Sequence, residues 1–130
     1  MDLSNLIILN AQGTDDSGGV LATLTPSQTE GLYLLSSLRI LYTAGSTSAT
    51  VTLNVDSHEG TAFDFELMSI TGAGGGGSNI NLGIDQSEMK EWYFRVDQYG
   101  NGDGLRISQT LGASDTWTVE AAFINAKDMV

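Results

Sequence analysis

Cysteine is absent from the chain. That excludes a disulfide framework, zinc–thiolate sites and thiol nucleophiles together. Histidine occurs once, as His58, which excludes every site built from several histidines. Basic residues are scarce. Arg39, Lys90, Arg95, Arg106 and Lys127 stand against 16 carboxylates, for a net charge of −11. Such a chain is repelled by phosphate backbones and anionic lipid, so neither nucleic acid nor a membrane is expected as a partner. No segment approaches the roughly 20 apolar residues a membrane helix needs. The opening MDLSNLIILNAQG has an acid at its second position and only a short apolar run. The basic n-region and long apolar core of a signal peptide are missing, so a cytoplasm is the expected place of synthesis and folding.

What the chain does contain is enough for a core. Its 130 residues are 41% apolar and only 16% charged. A domain of that size buries a core without disulfides, and residues 1–130 are expected to form one β-sandwich domain. Its polar surface must come largely from Ser, Thr, Asn, Gln and Gly.

Strands dominate the pattern. Asn5 to Asn10 carries the run Leu6, Ile7, Ile8, Leu9. A continuous apolar run this short suits a strand buried on both faces, or one covered by a partner chain. The segment AQGTDDSGG, Ala11 to Gly19, reads as an exposed loop. Val20 to Thr25 is a short strand stopped by Pro26, the only proline, which cannot donate to a sheet ladder. Leu32 to Thr43 is a long strand. Leu38, Ile40 and Tyr42 share one parity, while Tyr33 and Leu35 have the other, which predicts a bulge near Ser36–Ser37. After the turn AGSTSA, Thr50 to Asp56 alternates cleanly with Val51, Leu53 and Val55 inward. Ser57 to Gly60 is a short hairpin connection in which Gly60 supplies positive φ. In Thr61 to Ile70, Phe63, Phe65 and Leu67 are expected on the face opposite Asp64, Glu66 and Met68. The glycines Gly74 to Gly77 mark a flexible loop. Ile80, Leu82 and Ile84 resume alternation, and Asp85 to Lys90 reads as a short loop or a single helical turn.

The best-specified stretch is Lys90 to Lys127. Trp92, Phe94 and Val96 alternate along one strand. Leu105 and Ile107 share a face of the next. Trp117, Val119, Ala121 and Phe123 share a face of the last. This reads as a three-stranded meander at the heart of the core. The total is about nine short strands and no convincing helix. The expected fold is all-β, an antiparallel β-sandwich of eight to nine strands, jelly-roll-like.

No pattern of chemistry-bearing residues completes a catalytic site, so no enzyme activity is expected. Asp97 to Gly104, DQYGNGDG, has the look of a calcium loop. An EF-hand alignment puts Tyr99 at the first ligand position and Thr110 at the twelfth, and neither fits. The loop is read instead as a glycine-rich hairpin whose Asn and Asp bond their own backbone. Asp15 and Asp16 offer too few oxygens for calcium and read as part of a solvated loop. His58 reads as an exposed turn histidine beside Glu59, with no G-x-S-x-G elbow anywhere. Asp64 and Glu66, two residues apart on one strand face, read as solvent-face acids rather than a hydrolytic pair. GAGGGG lacks the G-K-[ST] ending of a phosphate loop. Tyr33, Tyr42, Tyr93 and Tyr99 could stack on sugars, but core and edge packing is the expected role. No cofactor and no metal site is expected.

The closing motifs GDGLRIS, Gly102 to Ser108, and DTWTVEAAF, Asp115 to Phe123, carry a resemblance. With a small, acidic, cysteine-free chain of many short strands, they resemble the small jelly-roll decoration (cement) proteins of tailed bacteriophage heads. The resemblance implies a homotrimer on the outside of a virion capsid, bridging subunits of the major capsid protein. It supplies no catalytic motif. The expected partner contacts are the apolar run Leu6, Ile7, Ile8 and Leu9, together with Gly74, Gly75, Gly76, Gly77, Ser78 and Asn79. The alternative is a non-catalytic carbohydrate-binding β-sandwich module.

Overall fold

The computed structural model describes residues 5–43, 50–71, 79–84, 92–110 and 115–129, with 79–84 described by backbone alone. Nine strands run through them: β1 Ile7–Asp15, β2 Gly19–Leu24, β3 Gly31–Thr43, β4 Thr50–Asp56, β5 Phe65–Thr71, β6 Asn79–Ile84, β7 Tyr93–Val96, β8 Gly104–Gln109 and β9 Asp115–Asn125. All pair antiparallel. One sheet has the order β1-β9-β3-β6, with β7 also beside β3; the other has the order β2-β8-β4-β5. Early strands pair with late ones: β4 with β5, β3 with β6 and β7, β2 with β8, β1 with β9. The chain is thus one long hairpin closed at the β4–β5 turn and wound into two layers, which is the jelly-roll arrangement.

Alternation builds the core as expected. Val51, Leu53 and Val55 of β4, Leu105 and Ile107 of β8, and Val119, Ala121 and Phe123 of β9 are all buried. They join Leu35, Leu38, Ile40 and Tyr42 of β3 in one cluster between the sheets. The rings of Phe94 and Phe123 meet edge to face, with centroids 5.4 Å apart at 88°. Such a pair adds a specific contact to the area both rings bury.

The expected bulge in β3 is present. Leu35 pairs with Phe123 and Ser37 with Ala122, so Ser36 is the extra residue. Its hydroxyl donates to the Ala122 carbonyl at 3.1 Å. One added residue reverses the parity of the strand, which lets Tyr33 and Leu35 join Leu38, Ile40 and Tyr42 inside.

Three expectations are corrected. The closing stretch is not a meander: β7 lies beside β3, β8 in the other sheet, and β9 back between β1 and β3. Alternation reports which side of a strand is apolar, not which strand lies beside it. Residues 11–15 are strand rather than loop. Gln12, Gly13 and Thr14 pair with Thr118, Trp117 and Thr116, and this ladder overrides their turn propensity. Gly13 is also where the indole needs room, since a Cβ there would sit 3.0 Å from a Trp117 ring carbon. Finally, 61–70 is not one alternating strand. Thr61–Phe63 is a 3-10 turn after Gly60 at φ 123°, and β5 begins only at Phe65. A second bulge, opposite Leu53/Asn54, shifts β5 again, so Met68 rather than Leu67 pairs with Leu53. The expected turn at 44–49, the glycines 74–77 with Ser78, and the loop 85–90 lie outside the described residues.

Candidate functional site

The two ends of β8 carry different polar clusters. At its C-terminal end Gln109 pairs with Val51 of β4 and Gly19 of β2. Here Asp15, Asp115 and Gln109 are buried, with Tyr42 fully enclosed. Asp15 and Asp115 are cross-strand partners in the β1–β9 ladder. The Tyr42 hydroxyl donates to Asp115 Oδ2 and lies 3.4 Å from Asp15 Oδ2; the Gln109 amide donates to Asp15 Oδ2. Asp15 Oδ1 accepts the backbone N–H of Gly18 at 3.0 Å, which fastens the β1–β2 turn. Burial, then the bond to Asp115, pushes the Tyr42 phenol well above its ordinary value, so it stays protonated and donating. The solvated-loop expectation for Asp15 is therefore overturned. Its position follows from parity: Asp115 alternates with Trp117 and Val119 on the inner side of β9, and Asp15 faces it.

At the other end, Asp103 precedes β8 and faces the β4–β5 turn. His58 is not an exposed turn histidine. Its side chain is 11% exposed, and Nδ1 lies 2.6 Å from Asp103 Oδ1. The same oxygen accepts the His58 backbone N–H at 3.1 Å, while Asp103 Oδ2 accepts that of Arg95 at 2.9 Å. On the other ring nitrogen, Asp97 stands at 3.9 Å and Glu59 at 4.0 Å. Asp103 orients the imidazole as a carboxylate does in a catalytic triad. Among the described residues, however, no hydroxyl bonds to His58; the Ser57 hydroxyl instead accepts the Glu59 N–H at 3.1 Å. The cluster ties two loops together. Its members are 45 residues apart, and no local pattern joins them.

Asp97 bonds its own loop, accepting the N–H of Tyr99 at 2.8 Å and of Asn101 at 3.0 Å. Desolvation opposes its charge, but those N–H groups and the nearby His58 hold its carboxyl below the ordinary value. Asp64 is also an anchor rather than a solvent-face acid. It accepts the Ser57 N–H at 2.7 Å and an Arg106 N–H at 3.0 Å, and Arg106 stands 3.5 Å from Asp56. Among the described residues no group of three or more His, Cys, Asp or Glu side chains is gathered to hold a metal ion.

The outer side of the first sheet is largely polar, though Leu41 of β3 and Ile8 of β1 are large apolar side chains exposed there. A shallow cavity of about 710 Å³ runs over it, lined by Asn10, Gln12, Arg39, Leu41, Thr118 and Glu120. Arg39 and Asn10 flank Glu120 in register. Tyrosines take no part in this surface: Tyr33 and Tyr42 are in the core, and Tyr33 donates to the Thr29 carbonyl at 2.8 Å. Tyr99, at 79% exposure, lies on the β7–β8 loop.

Of the expected partner contacts, Leu6 precedes β1 and Ile7, Ile8 and Leu9 open it. Ile7 and Leu9 pack against the core, while Ile8 is 54% exposed on the opposite side. The strand is not buried on both faces: its inner side meets the core and its outer side is exposed, and it is also an edge strand with β9 as its neighbour. Gly74 to Ser78 lie outside the described residues; Asn79 opens β6 and pairs by backbone with Thr43. The alternation pattern missed Phe63 and Phe65, which are 60% and 55% exposed.

No protein-family model matches the chain. No curated protein matches it either. Among solved structures, it is similar to a chain of infectious bursal disease virus, Gt strain, with a TM-score of 0.36 and 13% identity over 95% of this chain. A chain of the Gx strain gives the same TM-score and identity over 96% of this chain. This chain spans about a third of the length of those two, covering 34% and 33% of them. A likeness of that size carries no argument about function.

Proposed function

We propose that the chain is a non-catalytic virion structural protein: a decoration protein, trimeric, that binds the outer surface of a phage head and stabilises it by bridging major capsid subunits. The observation that carries this is the open edge of β1, which has β9 as its neighbour in the sheet and leaves Ile8 54% exposed on its outer side. An open sandwich has unpaired strand edges, and such an edge is suited to being covered by another chain. The resemblance of the closing motifs to head decoration proteins supports the same reading, and the acidic surface favours a protein partner over nucleic acid. A trimer multiplies each weak contact through effective concentration. Native mass spectrometry of the protein alone and mixed with purified heads tests it. A trimer mass and depletion of free protein by heads are expected; a strict monomer that ignores heads would overturn the proposal.

A second reading, carbohydrate binding, is favoured by the cavity over the first sheet, where amide, hydroxyl and one pair of opposite charges meet without excess charge. Binding on a glycan array, with no affinity for heads, would select it.

A further inference from the structure

We infer that the Phe63–Phe65 corner is a second docking surface, and that it fits an apolar protein surface rimmed by Lys and Arg. The inference rests on the decoration reading and adds a contact on the second sheet to the β1 edge that reading invokes. Phe65 pairs with Val55, so the two side chains share the core-facing side of the second sheet. Val55 is 3% exposed, yet Phe65 is 55% exposed. The inner side of edge strand β5 therefore opens to solvent at this corner. Phe63, on the 3-10 turn just before it, is 60% exposed. Two large exposed rings two residues apart are the kind of anchor that can carry much of an interface's affinity.

The corner is held ready. Asp64, between the two rings, accepts from Ser57 N–H and from Arg106, and so fastens the 3-10 turn to the β4–β5 connection and to β8. A preorganised anchor loses little freedom on docking. The flanking charge is acidic, on a chain whose net charge is −11. Glu66 follows Phe65 and is exposed on the outer side of β5, opposite Asn54. Glu59, in the same turn, has a side chain 54% exposed. An apolar centre with a carboxylate rim is complementary to an apolar centre with a basic rim, and is repelled by an acidic one.

The test measures binding to heads assembled without this chain. It compares wild type, the double variant Phe63→Ala/Phe65→Ala, and the charge reversal Glu59→Lys/Glu66→Lys. Both pairs are exposed, so the folds should hold, which far-ultraviolet circular dichroism checks. Loss of both rings should raise Kd at least about tenfold. Charge reversal should also weaken binding, and should abolish the decline of wild-type affinity with added salt. Unchanged affinity in the ring variant overturns the inference while the decoration reading stands. Unchanged or tighter binding by the charge reversal overturns the basic-rimmed partner. Wild-type protein that does not bind heads overturns the decoration reading, and the inference with it.

Discussion

Asp64 shows how much one side chain can hold. Its carboxyl is kept below the ordinary carboxylate value, first by the Ser57 N–H and then by Arg106. A carboxyl whose folded value lies below its unfolded one stabilises the fold above the unfolded value. That contribution is lost as pH falls through the folded value. Asp97 is shifted in the same direction. Stability should therefore fall on acidification from about pH 5 to about pH 2. The urea midpoint measured across that window should fall less steeply in Asp64→Asn than in wild type; parallel slopes would refute the role. Little of this was legible beforehand. Asp64 reads as one of two alternating acids, and its partners come from the preceding turn and from β8. The same holds for His58, whose carboxylate partner is brought in from another loop.

Among the elements, β3 is the one on which register depends. It pairs with β9 on one side and with β7 and then β6 on the other. Its bulge was legible, because the parity of Tyr33 and Leu35 conflicts with that of Leu38 onward. Deleting Ser36 should shift residues 31–35 by one position and turn Tyr33 and Leu35 outward. Each such side chain contributes about 1.5–3 kcal/mol when buried, so a loss of at least ~3 kcal/mol is expected in the urea-unfolding free energy. A loss under ~1 kcal/mol would mean that β3 does not depend on the bulge. The second bulge, in β5, was not legible. Phe65 and Leu67 share parity with Phe63, and nothing in the alternation announces a 3-10 turn before them.

The whole molecule is organised by distant pairings. β1 binds β9, with Ile7 opposite Phe123. Closing such long loops costs entropy before the contacts are made, so folding should be slow for the size. Stopped-flow tryptophan fluorescence, reporting through Trp92 and Trp117, should show refolding in milliseconds to seconds. Sub-millisecond refolding would contradict the pairing order. At this scale the fold class was legible from strand number and alternation, while the sheet in which each strand lies was not. The apparent meander of the closing stretch is three strands divided between two layers.

Local chemistry determined a good deal. Period-two alternation marks the inner residues of β4, β8 and β9, because each strand turns alternate side chains to opposite sides. Pro26, which has no N–H to donate, lies just beyond the end of β2, and the net charge of −11 follows from composition alone. Contacts between distant residues decided the rest: the ladder that makes a strand of residues 11–15, the burial of Asp15 against Asp115, the bond from His58 to Asp103, and the exposure of Phe63 and Phe65. Each depends on which segment lies opposite. Residues at one position and its partner are free to vary along the chain without leaving a local mark, so only the assembled sheets bring them together.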